Sequence, residues 1–158
     1  MVIRFAKPED VPEILELLRQ VGQVHHKGRP DIFRSDAQKY GPSQVLALLD
    51  KPATPIFIAE EKGKVQGYCF CQIKTYYRDS VIVDHTTCYI DDLCVDENCR
   101  GQHVGKALYE AVCKYAKARD CRSITLNVWS CNESAMKFYE KLGLTPQKVG
   151  MEAILEDS

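Results

Sequence analysis

The segment that most constrains the fold is a strand pattern that runs into a glycine-containing turn and from there into an amphipathic helix. Residues 86–95 are rich in Thr, Tyr, Ile, Leu and Val, which is typical of a strand. Gly101 and Gly105 follow, and apolar residues recur at helical spacing from about His103 to Ala118. Such a turn gathers backbone N–H groups at the positive end of the helix dipole. The segment therefore predicts a binding site for a phosphate-bearing ligand.

Two common nucleotide-binding motifs do not fit this turn. A Walker A loop needs four residues between its first Gly and Gly-Lys-Ser/Thr, but only three separate Gly101 from Gly105, and Ala107 follows Lys106. A dinucleotide-binding fingerprint needs Gly-x-Gly-x-x-Gly, which the sequence lacks. The phosphate-bearing ligand therefore belongs to another class.

The order of the other elements predicts the fold class. The patterns predict strands over 2–6, 55–60, 65–77, 86–95, 123–129 and 149–155. They predict helices that begin near Asp10, Ser43, His103 and Glu133. This order predicts an α/β fold in the form of one mixed sheet flanked by about four helices.

Local signals predict three details of these elements. Asp10 and Glu13 have the spacing of a capping box at the start of the first helix. Gly22 interrupts the apolar stripe of that helix, and residues 25–34 are expected to form a loop or short helix near a site. Residues 61–64, which include a glycine, predict the turn of a hairpin.

Length and charge exclude several classes of protein. A chain of 158 residues predicts one domain, over residues 1–158. It has 21 Lys and Arg against 22 Asp and Glu, a net charge of −1, which argues against nucleic acid and anionic membranes as partners. No apolar stretch approaches the roughly 18 residues of a spanning helix, and the start of the chain is charged. We therefore expect a cytoplasmic protein.

The eight cysteines predict reduced thiols rather than disulfides. A cytoplasmic chain of this length buries enough surface to fold without such cross-links. The sequence contains no Cys-x-x-Cys pair, and the adjacent His25 and His26 are poorly placed to bind one ion. We therefore expect no metal site.

Two motifs together identify a family. Residues 102–107 fit the pattern Gln/Arg-x-x-Gly-x-Gly/Ala, and Arg100-Gly101 precedes them. Residues 127–144 fit a second pattern, Asn-x-x-Ala-x-x-Phe-Tyr-x-x-x-Gly-Phe, about 25 residues later. The chain therefore resembles the GCN5-related N-acetyltransferase (GNAT) superfamily over most of its length. In motif style it is closest to the diamine-type and uncharacterised bacterial members.

The resemblance implies an acetyl-CoA-dependent N-acetyltransferase with the GNAT fold. Backbone groups of residues 93–95 would bind the pantetheine arm and polarise the thioester carbonyl, and amides of residues 102–106 would hold the pyrophosphate. Cations flanking the turn would lie close to the phosphates, and Asn132 would contact the cofactor. The implied cofactor-binding residues are Leu93, Cys94, Val95, Arg100, Gly101, Gln102, His103, Val104, Gly105, Lys106 and Asn132.

The chemistry of amine acetylation assigns three catalytic candidates. An alkyl amine has a pKa of about 10, so a carboxylate must remove a proton before the amine attacks the thioester. Asp91 and Asp92 are the carboxylates in the strand, and because neighbours on a strand face opposite sides, only one is expected to face the site. Asp91 resembles the base position of diamine-type enzymes, but it is Asp where they have Glu, which favours a water relay. Tyr139 matches the family's general acid, which would protonate the departing thiolate.

Alternative interpretations accompany these assignments. Asp91 also fits a solvated strand residue, and Tyr139 with Phe138 fits core packing. Cys94 beside the thioester raises a ping-pong mechanism through an acyl-cysteine. The competing functional class is a CoA-binding sensor or scaffold that no longer transfers the acetyl group.

The acceptor is the least constrained part of the prediction. In the resembled fold, residues 25–33 border the acceptor site, which makes His26, Asp31 and Phe33 candidate substrate contacts. Carboxylates clustered near the central strands favour a cationic small amine, although a peptide N-terminus or a lysine is also compatible. These carboxylates are Asp79, Asp84, Asp91 and Asp92. A homodimer is compatible with the sequence.

Overall fold

The computed structural model describes residues 1–101 and 103–156. This part of the chain forms the strands β1 (Val2–Phe5), β2 (Ile56–Glu61), β3 (Lys64–Tyr76), β4 (His85–Val95) and β5 (Ser123–Leu126). Its α-helices are α1 (Val11–Gly28), α2 (Pro42–Leu49), α3 (Val104–Ala118) and α4 (Glu133–Lys141).

The strands form one mixed sheet in the order β1-β2-β3-β4-β5. The first three pairings are antiparallel, whereas β4 and β5 are parallel because α3 crosses between them. Helices α1 and α2 cover one face, over Tyr68 and Phe70, and α3 covers the other, over Cys69 and Ile90. The prediction of an α/β fold with one mixed sheet and about four helices is confirmed.

Strand β4 has one free edge over its second half. It pairs with β5 only from Thr87 to Ile90, whereas it pairs with β3 as far as Val95. From Asp91 onward, no described strand therefore takes up the backbone groups on the β5 side of β4. This divergence opens the sheet directly before the glycine-containing turn.

The start of α1 differs from its prediction. A 3-10 turn at Pro8–Asp10 leads into the helix, and the Asp10 side chain makes no cap hydrogen bond to α1. Asp10 instead accepts hydrogen bonds from Arg4 and from the Lys7 backbone N–H. The Glu13 carboxylate accepts one from the Val65 backbone N–H at 2.9 Å. The predicted capping box is therefore wrong, because tertiary partners engage both carboxylates.

Helix α1 also continues through Gly22, where the apolar pattern breaks. A Cβ at this position would lie 1.9 Å from the carbonyl oxygen of Ala37. The glycine therefore allows the segment after α1 to pass directly against the helix. Gly22 therefore serves close packing and does not end the helix.

The predicted final strand over residues 149–155 is wrong, and β5 ends at Leu126 instead of Trp129. Residues 145–156 form neither helix nor strand, and Met151 and Leu155 are 87% and 90% exposed. The alternating pattern is typical of a strand, but a strand also requires a neighbour for its hydrogen bonds. The described residues provide no such neighbour. In the described part of the chain, no helix has the length and apolar character needed to cross a membrane.

Candidate active site

The glycine-containing turn leads into backbone donors that have no partner among the described residues of α3. Gly101 and His103 have positive φ angles of 85° and 62°, which turn the chain sharply into α3. The first backbone bond of the helix runs from the Ala107 N–H to the His103 carbonyl. The N–H groups of residues 104–106 therefore have no partner within the helix, and the His103 side chain does not cap them. These donors and the helix dipole suit an anionic group. Gln102 lies outside the described residues.

Gly105 has a packing role in addition to any ligand role. A Cβ at this position would lie 3.0 Å from Phe138, so α3 and α4 approach each other closely here. The flanking cations Arg100 and Lys106 both project into solvent, and Lys106 lies 3.9 Å from Glu110. This arrangement leaves their charges available near the turn.

The free edge of β4 provides a second set of backbone groups. Leu93, Cys94 and Val95 pair with β3 on one side and have no described strand on the other. Their outward N–H and C=O groups are available to an extended amide-containing ligand, as an unpaired strand edge is to a peptide. Together with the turn, they suit a ligand that combines an extended amide-containing arm with an anionic group. Among residues 1–101 and 103–156, no cluster of three or more His, Cys, Asp or Glu side chains has the arrangement of a metal site.

Both candidate bases face the same side of the sheet. In the register, Phe70 lies opposite Asp92 and Cys71 opposite Ile90, so Asp91 is the extra residue of a β-bulge. The Tyr40 hydroxyl donates a 2.5 Å hydrogen bond to Asp91. The prediction that the two carboxylates face opposite sides is wrong, because the bulge interrupts the alternation of the strand.

Aromatic side chains hold the two carboxylates on the face that α1 and α2 cover. The Tyr68 hydroxyl donates to Asp92 at 2.6 Å. Tyr40, which donates to Asp91, packs against the same apolar core as Tyr68 and stacks on Phe70 with ring centroids 5.4 Å apart. The two carboxylates therefore form one acidic pair.

The electrostatic surroundings distinguish the two carboxylates. Asp91 forms an ion pair with Lys39 at 2.9 Å, and its side chain is 10% exposed. Burial raises the pKa of Asp92 to about 6, although the Tyr68 hydrogen bond and the Lys39 charge oppose the increase. A carboxylate with a pKa near neutrality is suited to accept a proton at physiological pH. Asp92 therefore has surroundings that suit a base, and the predicted role of Asp91 as the base stays a prediction.

Tyr139 carries a proton that it retains at neutral pH. Burial raises the pKa of its phenol well above the usual value, and the Asp92 carboxylate adds to the effect. Tyr139 lies on α4 beside Phe138, and α4 approaches the start of α3 closely where Phe138 packs over Gly105. Tyr139 is thus a protonated group on the helix that packs against the start of α3.

The Cys94 thiol is buried and neutral. Its sulfur points toward the Leu17 carbonyl oxygen at 3.5 Å, within the core beneath α1. Burial and the Asp92 charge raise its pKa to about 12. A thiol in this environment is a poor nucleophile, because the thiolate is the reactive form.

The remaining predicted contacts have structural partners of their own. Asn132 caps α4 by accepting a hydrogen bond from the Ala135 N–H at 3.2 Å. The Phe33 ring lies 5.0 Å from that of Trp129, and its carbonyl lies 2.8 Å from His26 Nδ1. Asp31 is exposed and pairs with Arg29 at 2.8 Å.

The acceptor candidates lie apart from the cavity beside the acidic pair. This cavity has a volume of about 560 Å³, and its walls include Asp91 but not His26, Asp31 or Phe33. Its floor consists of alternating polar residues of β3 and β4 that the sequence analysis did not identify. The register pairs Gln72 with Tyr89, Lys74 with Thr87 and Tyr76 with His85. The sequence did carry a signal for this floor, because its polar residues alternate with buried residues such as Cys71 and Cys88 at a period of two.

Comparisons with known proteins identify relatives of the chain. Residues 15–144 match the Acetyltransferase (GNAT) family. An uncharacterised N-acetyltransferase of Methanocaldococcus jannaschii is 30% identical over 93% of the chain, which spans 62% of that relative's length. A 5-NmdU N-acetyltransferase of Pseudomonas phage PaMx11 is 30% identical over 92% of the chain and 87% of its own length.

Solved structures show the same fold. A mutant of the BH1408 protein from Bacillus halodurans superposes with a TM-score of 0.94 at 34% identity, over 99% of this chain and 100% of its own. An aminoglycoside N-acetyltransferase in complex with CoA shares the fold alone, with a TM-score of 0.74 at 16% identity over 99% of this chain and 100% of its own. The chain therefore belongs to the acetyltransferase (GNAT) family, a family of acyltransferase enzymes.

Proposed function

We propose that the chain transfers an acetyl group from acetyl-CoA to a primary amine by direct attack in a ternary complex. The observation that carries this proposal is that Asp92, with a pKa near neutrality, lies on β4 where its edge is free, while α4, which carries protonated Tyr139, packs closely against the start of α3. Amine acetylation needs one group that accepts a proton and one that donates a proton. The family uses acetyl-CoA, which supplies the activated acetyl thioester when bound.

Two sets of backbone groups would hold this co-substrate. The amides of residues 104–106, at the N-terminus of α3, would bind the pyrophosphate, with Arg100 and Lys106 close to it. The outward backbone groups of residues 93–95 would bind the pantetheine arm. We propose the same roles for Gly101 and Gln102 as the resemblance implies.

Asp92 would accept a proton from the acceptor ammonium, which frees the nitrogen lone pair. The nitrogen would then bond to the acetyl carbon as the carbon–sulfur bond breaks, and the nitrogen would lose a second proton to solvent. Tyr139 would donate its proton to the departing sulfur and regain one from water. Asp91, held by Lys39 and Tyr40, would lie at the entrance to the acceptor side.

The state of Cys94 supports direct transfer over the ping-pong alternative. An acyl-cysteine would require the thiolate, whereas this thiol is buried and its pKa is raised to about 12. We therefore propose that no acetyl group resides on the protein during turnover.

Release of CoA thiol, followed with acetyl-CoA and a panel of polyamines, amino acids, amino sugars and peptides, tests the proposal. We expect turnover with at least one primary amine. Tight binding of acetyl-CoA without turnover of any amine would instead favour the sensor or scaffold alternative. Several expectations stay predictions. They are the acceptor contacts His26, Asp31 and Phe33, the cofactor contact Asn132, a single domain over residues 1–158, a cytoplasmic location and a homodimer.

A further inference from the structure

The cavity beside the acidic pair is positively charged. Three cationic residues, Lys74, Arg122 and Lys148, line it, and Asp91 is its one carboxylate among the described residues. Asp91 is itself neutralised by Lys39 at 2.9 Å. An amine acceptor without another charge would therefore enter a cavity that repels it.

The acidic residues that favoured a cationic acceptor are engaged elsewhere. Asp79 accepts hydrogen bonds from the backbone N–H groups of Val81 and Ile82, and Asp84 accepts one from that of Arg78. Both carboxylates stabilise the connection between β3 and β4, and neither lines the cavity. They therefore do not offset the charge of its walls.

The cations occupy a fixed place on the sheet, away from the acidic pair. Lys74 lies opposite Thr87 in the register, with its Nζ 4.2 Å from the centre of the Tyr89 ring. The Arg122 backbone donates to the Thr86 carbonyl at 2.7 Å. Lys74 therefore lies about four residues along β4 from Asp91 and Arg122 about five, or roughly 13 and 17 Å between backbones at 3.3 Å per residue. Long side chains shorten these spans.

The floor between them is ordered by side-chain contacts. The Thr87 hydroxyl bonds to the Ser123 carbonyl at 2.9 Å, and Asn127 donates to the Tyr89 hydroxyl at 3.1 Å. Such a polar floor can hold a hydrophilic acceptor without large rearrangement.

We propose that the acceptor is a primary amine that also carries an anionic group, a carboxylate or a phosphate, which Lys74 and Arg122 bind while the amine reaches the acidic pair. This inference rests on the proposed transfer function and names its substrate class. Lys148 would contribute from the segment after α4. Among the described residues, none of the three cations forms an ion pair with a carboxylate, which leaves them available to the ligand.

Acceptors that differ only in the anionic group test the proposal. Comparing lysine with cadaverine tests the effect of a carboxylate on the acceptor. Comparing glucosamine 6-phosphate with glucosamine tests the effect of a phosphate. We expect kcat/KM for CoA release to be at least about tenfold higher for the anionic member of one pair. A hydrogen bond to a charged group contributes enough binding free energy for a tenfold change. The preference should decrease at high ionic strength.

Variants of Lys74 and Arg122 locate the effect. Lys74→Gln and Arg122→Gln should each raise KM for the anionic acceptor at least about fivefold with little change in kcat. For the acceptor of each pair that lacks the anionic group, kcat/KM should not fall, because removing a cation weakens the repulsion of its ammonium group. Lys114→Gln, an exposed lysine on α3, is the matched control and should change neither. Equal or better turnover of cadaverine and glucosamine, or an unchanged preference in both variants, would overturn the proposal.

Calorimetric binding of lysine and glucosamine 6-phosphate to the CoA-saturated protein separates this inference from the transfer function. Turnover without preference for an anionic group would contradict the inference and leave the transfer function intact. Binding that needs the anionic group and is lost in Lys74→Gln, without turnover of any amine, would support the inference and contradict the transfer function.

Discussion

The Tyr68 hydroxyl donates a 2.6 Å hydrogen bond to the Asp92 carboxylate. Tyr68 is fully buried on β3, so it fixes this carboxylate from within the core. Burial raises the pKa of Asp92 to about 6 even though the hydrogen bond opposes the increase. The fold thus maintains a buried carboxylate that is ionised at neutral pH but gains a proton readily.

Asp92→Asn should lower kcat by about 10²-fold or more, because the amide keeps the shape of the side chain but cannot accept the proton. In the wild type, kcat/KM should fall as the pH decreases through about 6, since Asp92 becomes protonated there. Rates of CoA release from pH 5 to 8 measure both effects. A variant with wild-type kcat and an unchanged pH profile would remove Asp92 from the mechanism.

The same variant should be more stable than the wild type at neutral pH. The pKa of Asp92 is higher in the folded protein than its ordinary value of 3.8, so ionisation costs folding free energy. This cost is absent below about pH 4 and complete above about pH 6. It amounts to at most about 3 kcal/mol, since a tenfold change in proton affinity corresponds to 1.4 kcal/mol.

Thermal unfolding of Asp92→Asn and wild type at pH 4 and pH 7.5 measures this difference. The variant should gain Tm at the higher pH only. A lower Tm at both pH values would show that Asp92 has a structural role through Tyr68.

Tyr139→Phe should lower kcat by about 10-fold to 10²-fold and leave the Kd for acetyl-CoA unchanged. Phenylalanine lacks the hydroxyl proton that the departing sulfur would take up, but it keeps the ring that packs beside Phe138. Tyr77→Phe is the matched control, because Tyr77 is an exposed tyrosine away from the site. If kcat stays at the wild-type level, Tyr139 is not the acid.

Cys94→Ala should retain kcat within a few-fold, because direct transfer does not involve the thiol. The variant should lose about 1 kcal/mol of stability, since the sulfur fills part of the core beneath α1. Mass spectrometry of wild type mixed with acetyl-CoA should detect no acetylated protein during turnover. A covalent adduct on Cys94, together with an inactive variant, would support the ping-pong mechanism.

Patterns of neighbouring residues predicted those features of the fold that depend on interactions between residues close in sequence. The hairpin turn is an example, because Lys62 and Gly63 adopt the positive φ angles that such turns require. The turn before α3 and the motifs around Asn132 and Tyr139 likewise depend on residues close in sequence. These signals were sufficient to predict the family and most of the order of helices and strands.

Features that depend on distant residues could not be predicted in this way. The bulge at Asp91 exists because of its register with Phe70 and Cys71, and nothing near Asp91 in the sequence indicates it. The segment over residues 149–155 has the pattern of a strand but lacks a described neighbour. The cations of the cavity come from β3, from the residue directly before β5 and from the segment after α4, and only the fold brings them together.

Gly22→Ala tests the most unusual of these distant contacts. Helix propensity alone predicts that alanine stabilises the middle of α1 by up to about 1 kcal/mol. The structure predicts the opposite, because the added Cβ would lie 1.9 Å from the Ala37 carbonyl oxygen and would push that backbone away. We expect a decrease in Tm of several degrees, measured by thermal unfolding. Gly150→Ala is the matched control and should be neutral, because a Cβ there has open space.

The displaced backbone leads directly to the site. Two and three residues after Ala37, Lys39 and Tyr40 bind the Asp91 carboxylate at 2.9 and 2.5 Å. Gly22→Ala should therefore also reduce kcat/KM for the acceptor, while the Kd for acetyl-CoA, which depends on β4 and α3, stays near the wild-type value. An increase in Tm would show that the segment relaxes without cost. A lower Tm with full activity would show that the contacts of Asp91 with Lys39 and Tyr40 are dispensable for transfer.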